Sequence, residues 1–280
     1  MTTAFANVVA VSAHWLVVVA VGAAALGLLR VHAAAARLAV FRAMVIVALA
    51  LPLVPIPYQP SREPTPIAPV RPSGVASPSG GVVSPSTHTI SVDATREAVQ
   101  QGTLSVLAAG ALLRLLWLAE GLLRLRRWQA AGEPTDDAAL RQATQLLGVA
   151  AEFRSSQDVD GPVTFGWRRP IVLLPRSVRL LSDAERTAIA CHELVHVARH
   201  HWLETLLVEA LRSVSWFHPA TWWWHDQWRL ARERTVDRAA VELLRDRRIY
   251  VDALLSLATV SPHRAAPAVA MFARRPQLVR

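Results

Sequence analysis

The 280-residue sequence contains no lysine and only one cysteine, Cys191. A single cysteine cannot form a disulfide within the chain, so cysteine chemistry does not indicate an oxidising compartment. All 30 basic residues are arginine, a bias that we attribute to genome composition, and the net charge is +9. Because a modest basic excess beside membrane segments follows the positive-inside rule, we predict no direct nucleic-acid binding.

Long apolar runs dominate the first part of the chain, in keeping with an apolar fraction of 52%. The run at residues 8–29 carries no charge and is long enough to cross a hydrocarbon core of about 30 Å as a helix. A signal peptide needs a charged start and a shorter apolar stretch, so we favour a retained membrane helix. A second run, residues 37–56, includes Arg37 and Arg42 close enough to one end to reach the interface.

Residues 57–96 differ sharply in composition, being rich in Pro, Ser, Thr and Gly. Such a segment cannot bury enough apolar surface to offset the entropy of ordering, which predicts a flexible linker. A third apolar run follows at about residues 103–125 and contains Arg114 and Glu120. We expect one or both charges to face neighbouring helices or the interface; an amphipathic helix on the membrane surface is the alternative.

The positions of the arginines predict the orientation of these helices. Arginines at residues 30–42 surround the first turn and those at residues 124–127 follow the third helix, so both regions are predicted to be cytoplasmic. The sequence thus predicts a multi-pass protein of the cell membrane, with the lipid bilayer as a partner. Its predicted parts are two membrane helices in 1–56, an extracytoplasmic linker in 57–96, a third membrane helix in 97–125 and a cytoplasmic domain in 126–280.

The predicted cytoplasmic domain mixes helices with a short β-rich segment. A helix is expected at residues 136–150, and two apolar stretches around a glycine predict a hairpin at residues 163–175. The sequence Ser-Asp-Ala-Glu at 182–185 has capping-box spacing and predicts the start of a helix that continues to His200. For the five tryptophans between residues 216 and 228 we favour core packing over rings placed at the membrane interface. Further helices are expected at residues 202–214, 220–244 and 249–260.

The capped helix contains the sequence His192-Glu193-Leu194-Val195-His196. Residues four apart share one helix face, so the two imidazoles can converge on a single metal ion with Glu193 beside it. This arrangement is typical of a zinc hydrolase in which the glutamate is the general base. The pattern alone arises by chance in roughly one or two such sequences per hundred, so its context decides.

A zinc hydrolase usually has three protein ligands and keeps the fourth position for water. The metzincin pattern would require Gly at 199 and His at 202, where this chain has Arg199 and Trp202. That class is therefore excluded. His200 and His201 lie too close along the same predicted helix to complete a tetrahedron, and we expect them on the surface or at an interface.

A carboxylate from a later helix is the other solution for the third ligand. Glu233 and Asp237 lie four apart on one predicted helix face, as a ligand and a partner for the N–H of a ligating histidine would. The competing interpretation pairs Glu233 with neighbouring arginines on a solvated face. Together with the histidine motif, the spacing favours ligation.

The order of these segments resembles the BlaR/MecR-type family of membrane metallopeptidases. The resemblance implies one Zn²⁺ per chain held by His192, His196 and Glu233, with Glu193 as general base and Asp237 supporting a ligand. It also implies a mainly α integral membrane protein whose cytoplasmic domain is a gluzincin-like α+β metalloprotease with a small antiparallel sheet. Val236 stands where the family commonly has cysteine, a change that does not affect ligation. The matching segments are Phe165-Gly166, residues 169–175, Leu181-Ser182, residues 192–196, residues 216–219, and Arg232-Glu233 with Asp237.

Antibiotic sensors of this family cut a transcriptional repressor, which suggests a function for this chain. We expect an endopeptidase that cleaves a cytoplasmic regulator such as a winged-helix repressor, or itself, with the substrate aligned along the hairpin edge. The sequence ends at Arg280 without a fourth membrane helix or a penicillin-binding domain, so antibiotic sensing is not expected. Two alternatives remain: a housekeeping membrane protease of the Ste24/HtpX type, and an inactive membrane-anchored scaffold whose metal is structural or absent.

Overall fold

The computed structural model describes residues 3–50 and 90–260 of the protein. The described part is mainly helical and contains one small sheet, as the sequence predicts. The strands are β1 (Glu133–Pro134), β2 (Glu152–Ser156), β3 (Val163–Phe165) and β4 (Ile171–Pro175), and a short 3-10 helix (Arg176–Leu180) follows β4. The helices are α1 (Thr3–Leu28), α2 (Ala34–Ala50), α3 (Ile90–Ala131), α4 (Ala138–Leu147), α5 (Asp183–Ala198), α6 (His201–Val214), α7 (Pro219–Leu244) and α8 (Arg247–Val260).

Two helices, α1 and α3, have the length and composition of membrane spans. Their candidate segments are Ala4–Leu28 and Ala94–Ala131, and only 11% of the most apolar part of each is buried within the protein. Helix α2 has 17 residues, and residues 51–56 of the second predicted run lie outside the described part, so a count of three spans stays a prediction. Helix α3 begins at Ile90, inside the predicted linker; the linker up to residue 89 also lies outside the described part.

Local sequence signals account for where the helices begin and end. The Asp137 side chain accepts a hydrogen bond from the Leu140 amide at the start of α4, and Gly148 ends that helix with a left-handed φ of 66°. At α5 the Ser182 and Glu185 side chains each bond the other's backbone, which confirms the predicted capping box. Pro219 occupies the first turn of α7, where its missing N–H costs nothing.

The helix predicted to continue to His200 ends earlier, at Ala198. His200 has a left-handed backbone with φ 52°, and a new helix, α6, begins at the next residue. This conformation is unfavourable for most residues with a Cβ atom and breaks the α-helical hydrogen-bond pattern. The reversal packs the first residue of α6 back against the end of α5.

The sheet is mixed, which corrects the predicted small antiparallel sheet. The strand order is β1-β2-β4-β3, and β3 pairs antiparallel with β4, so the predicted hairpin is present. However, β2 pairs in parallel with β4 because the chain passes through the edge strand β3 before it returns beside β2. Strand β2 carries arginine and serine and lacks a clear alternation, so its sequence did not indicate a strand. Strand β4 is buried throughout, as expected for a central strand.

Helices α6 and α7 pack directly on the N-terminal helices α1 and α2. The Trp15 indole of α1 donates a 2.8 Å hydrogen bond to Thr221 Oγ1 of α7. Arg42 of α2 donates two 2.8 Å hydrogen bonds to the Glu204 carboxylate of α6. Because bidentate arginine–carboxylate pairs fix both distance and angle, these contacts tie α1 and α2 to the two helices that adjoin α5.

The tryptophans of α7 divide between the interior and the surface. Trp224 and Trp228 are 0% and 2% exposed and stack with ring centroids 6.1 Å apart, and Trp15 meets Trp224 edge-on. These rings form the core of the α1–α2–α7 bundle, so the predicted core packing is confirmed for them. Trp222 and Trp223 are 41% and 42% exposed and lie outside that core.

The arginine within the third apolar run faces other helices, as expected. The Arg114 guanidinium lies 5.0 Å from the Trp222 ring, and Arg212 of α6 lies 4.4 Å from the same ring. Within α3, Glu120 accepts a 2.9 Å hydrogen bond from Arg124, one turn further on. Glu120 is thus paired, which lowers the cost of its charge in an apolar segment. Arg114 has only its contacts with tryptophan rings, and its Nε and Nη2 atoms are buried without a hydrogen-bond partner among the described residues.

A buried carboxylate, Glu209, lies between α6 and α7. It is 3% exposed and accepts hydrogen bonds from His225 Nε2 at 3.1 Å and Arg212 Nη1 at 3.2 Å. Burial tends to raise the pKa of this carboxyl, but the donation from His225 and the charge of Arg212 outweigh it and hold the pKa below its ordinary value. The Glu209 carboxylate is therefore charged at neutral pH.

Candidate metal centre

Helix α5 is the central helix around which the candidate site is built. It packs against α4, α7 and α8. His192, Glu193 and His196 are 6%, 1% and 5% exposed, and every residue from Thr187 to His196 is buried. A polar motif buried this completely requires specific partners, because unpaired polar groups in the interior cost free energy.

The third candidate ligand comes from α7. The Glu233 carboxylate oxygen Oε2 lies 3.7 Å from His192 Nε2 and 3.5 Å from His196 Nε2, and the three ligand atoms lie within 4.8 Å of one another. Tetrahedral zinc with bonds of about 2.0–2.1 Å places its ligand atoms about 3.3 Å apart. The three side chains therefore fit a zinc ion with little rearrangement.

The Glu233 side chain also contacts Arg232, whose Nη2 lies 3.3 Å from Glu233 Oε1. One oxygen of the carboxylate thus faces the arginine while the other faces the two imidazoles. The glutamate side chain is only 23% exposed, so the competing interpretation of a solvated face does not describe it. Pairing with an arginine and ligation of a metal are compatible here.

The Nδ1 atom of His192 is supported by a residue that the sequence did not suggest, Tyr250 of α8. The phenol oxygen lies 2.6 Å from His192 Nδ1, and its hydroxyl donates a 2.6 Å hydrogen bond to Asp237 Oδ1. Because the hydroxyl proton is directed to the carboxylate, the oxygen accepts from the Nδ1–H of His192. This fixes the tautomer whose Nε2 lone pair points toward Glu233. Asp237 lies near the ligand as predicted, 3.3 Å from His192 Nδ1, although the tyrosine stands between them.

The Nδ1 atom of His196 meets a second histidine, His201. Their Nδ1 atoms are 2.9 Å apart, and the rings meet edge-on with centroids 4.9 Å apart. His201 is 2% exposed, which overturns the expectation of a surface or interface residue, whereas its neighbour His200 is exposed as predicted. Burial, followed by the charge of Arg232, lowers the pKa of His201 to about 3, so its ring is neutral.

The family described as BlaR1 peptidase M56 matches residues 4–279. This chain belongs to the BlaR1 peptidase M56 family. The predicted resemblance is thereby confirmed, and membership implies a metallopeptidase.

A curated relative of this M56 chain is the regulatory protein BlaR1 of Bacillus licheniformis. The two are 29% identical over 93 residues, a stretch that covers 33% of this chain and 15% of the relative. The matched stretch thus spans about a seventh of the length of that relative.

The carboxylate of the candidate base, Glu193, accepts a hydrogen bond from a residue of the edge strand β3. Thr164 of β3 donates a 2.7 Å hydrogen bond to Glu193 Oε2. Strand β3 forms one edge of the described sheet, so the strand that touches the candidate base pairs with a neighbouring strand, β4, on one side only within the described residues. The hairpin was visible in the sequence, but the contact between its edge and Glu193 joins residues 29 positions apart and had no local signal.

A cleft opens beside the candidate ligand His196. It has a volume of about 280 Å³ and is lined mainly by apolar groups. Its walls include Thr164 and Trp167 from the hairpin and Trp202 and Leu203 from the start of α6. The candidate metal centre therefore adjoins an apolar recess bounded by the edge strand.

Proposed function

We propose that this chain is a membrane-bound, zinc-dependent endopeptidase that cleaves a cytoplasmic regulatory protein, or itself, during signal transduction. The observation that carries the proposal is the convergence of His192, His196 and Glu233 with Glu193 at an open sheet edge. Membership of the M56 peptidase family supports the same reaction class. Catalysis would use one Zn²⁺ per chain.

The chemistry divides between the ion and the protein. His192, His196 and Glu233 would hold the Zn²⁺ ion, which would supply a Lewis acid for the scissile carbonyl and for the attacking water. Glu193 takes a proton from the attacking water and later delivers it to the leaving amine, so no net proton is gained or lost by the carboxylate. The Thr164 hydroxyl donates to Oε2 of that carboxylate and so fixes its orientation. The edge of β3 orients an extended substrate by strand addition.

Charge and family membership support the proposed location and substrate. By the positive-inside rule, arginines beside α1, α2 and the end of α3 favour a cytoplasmic location for the metal centre. The relative bears the name of a regulatory protein, which supports a regulator as the substrate in preference to housekeeping proteolysis. The candidate substrate class that we would test is a winged-helix repressor.

The test compares the full chain with Glu193→Gln after co-expression with that repressor, using intact mass spectrometry to detect cleavage of either protein. General-base catalysis contributes on the order of 10²–10⁴-fold, so we expect zinc stoichiometry to be retained and cleavage to disappear. Glu242→Gln, an exposed glutamate on the same helix as Glu233, is the matched control and should cleave normally. Proteolysis that persists in Glu193→Gln would refute the mechanism.

The same assay separates the alternatives when unfolded casein is added as a second substrate and a chelator is used to remove the metal. A scaffold would give no cleavage product with the wild-type chain, whether or not zinc is bound. A housekeeping protease would degrade unfolded casein at least as fast as the repressor. Cleavage of the repressor at one site, lost on chelation and restored by Zn²⁺, is the result that our proposal requires.

A further inference from the structure

The buried side chains of His196 and His201 share a hydrogen bond. The two Nδ1 atoms are 2.9 Å apart, so one proton lies between them: one nitrogen donates and the other accepts. Among the described residues His201 Nε2 is buried and has no hydrogen-bond partner. The contact to His196 is thus the one hydrogen bond of this side chain among the described residues.

Metal binding determines which nitrogen carries the shared proton. His196 faces Glu233 through Nε2, at 3.5 Å, so Nε2 is the atom that must offer a lone pair to the ion. A neutral imidazole with a lone pair on Nε2 carries its proton on Nδ1. His196 Nδ1 must then donate, and His201 Nδ1 must accept.

We propose that His201 is a positioning residue for the metal centre: as a neutral acceptor, it holds His196 in the tautomer and ring orientation that present Nε2 to zinc. The inference rests on the proposed zinc site. Ligating histidines commonly donate their second N–H to a carboxylate, a carbonyl or water. Here an imidazole takes that place, while the other ligand, His192, is supported by Tyr250 and Asp237.

The left-handed backbone at His200 brings this acceptor into place. The left-handed turn at His200 ends α5 and starts α6 with His201, so a residue only five positions after His196 can reach its Nδ1. A continuous helix would point the two side chains in different directions, because five residues correspond to about 500° of rotation. The side chain is also near the charges of Arg232, Glu204 and Arg42.

Three single variants of the full detergent-solubilised chain test the proposal through zinc affinity, measured by competition with a chromophoric chelator. His201→Leu keeps a side chain of similar size but removes the hydrogen-bond acceptor. Loss of the hydrogen-bond partner of a ligating histidine weakens metal binding by about 10–100-fold. His201→Asn places a carbonyl oxygen where Nδ1 was, so its affinity should return to within about threefold of wild type. His200→Asn is the control: this exposed neighbour tolerates the left-handed backbone as asparagine and should bind zinc normally.

Thermal unfolding of the zinc-free proteins shows whether His201 acts on the metal or only on the fold. We expect the zinc-free His201→Leu variant to unfold close to the wild-type temperature. The change removes a buried nitrogen without a hydrogen-bond partner, which stabilises the fold, and also removes the acceptor of the His196 Nδ1–H, which destabilises it. An unchanged zinc affinity in His201→Leu, or failure of His201→Asn to restore it, would overturn the positioning role while leaving the proposed function intact. If the wild-type chain binds zinc but cleaves nothing, the proposed function fails and the positioning role still stands.

Discussion

Replacing Tyr250 with phenylalanine tests how the structure supports His192, the first proposed zinc ligand. The change removes one oxygen atom, which lies 2.6 Å from both His192 Nδ1 and Asp237 Oδ1, and leaves the ring stacked on His192. The loss of packing should therefore be small. What is lost is the acceptor for the histidine N–H and the donor to the aspartate.

The magnitude follows from the positions of the remaining groups. Asp237 is 43% exposed, so water can replace the lost hydroxyl there, and the free energy of unfolding should fall by only about 0.5–1.5 kcal/mol. Asp237 Oδ1 already lies 3.3 Å from His192 Nδ1 and can accept its proton after a small shift. We therefore expect zinc affinity to fall about tenfold, or about 1.4 kcal/mol, the lower end of the range for such partners.

A double-mutant cycle with Asp237→Ala makes the test specific. If the aspartate takes over as acceptor, Asp237→Ala should weaken zinc binding more in the Tyr250→Phe background than in the wild type, to about 100-fold in total. Zinc affinity is measured by chelator competition on the full chain. A Tyr250→Phe affinity within twofold of wild type, alongside a tenfold loss in Asp237→Ala, would show that the aspartate acts directly and that the tyrosine only packs.

Three further variants probe the base, the core and the buried charge. Thr164→Val removes the hydrogen bond to Glu193 and should lower kcat about tenfold with zinc affinity unchanged. Trp224→Ala, at a fully buried site, should cost about 3–5 kcal/mol of stability, measured by chemical unfolding in detergent. Glu209→Gln should cost about 3 kcal/mol at pH 7, because Arg212 loses its buried partner. Since the pKa of Glu209 is lowered by folding, its stabilisation is present above about pH 4.5 and is lost as the pH falls below that value.

Each of these variants has a matched control. Thr164→Ser keeps the hydroxyl and should retain kcat, so an equal loss in both variants would assign the effect to packing. Trp223→Ala, on the exposed side of α7, should cost less than about 1.5 kcal/mol, and a loss equal to that of Trp224→Ala would contradict the assigned core. If the stability of Glu209→Gln falls as steeply as that of wild type between pH 5 and pH 3.5, another carboxylate carries the acid sensitivity.

Features encoded over one or two turns of helix were predicted well from the sequence. The capping box at Ser182 marked the start of α5, and the four-residue spacing within 192–196 placed both imidazoles on one face. The same spacing argument placed Glu233 and Asp237 together on α7, and both lie beside His192 in the structure. Helical geometry is set by 3.6 residues per turn, so such relations do not depend on how the helices later pack.

Contacts between distant segments were missed or mistaken. The parallel pairing of β2 with β4 was not foreseen, because β2 is a short strand with no clear alternation of apolar and polar residues. Tyr250 had no motif, and its role depends on α8 packing against α5. His201 was expected on the surface because a continuous helix was assumed through His200, where the backbone is in fact left-handed.

The sequence by itself determined which side chains can hold the metal, because ligand identity and spacing along a helix are local properties. Only the tertiary structure decided how those ligands are oriented. The proton positions on His192 and His196 depend on Tyr250 and His201, which reach them from α8 and from the start of α6. A hydrogen bond requires a partner within about 3 Å in a defined direction, and only the packing of separate helices supplies that partner.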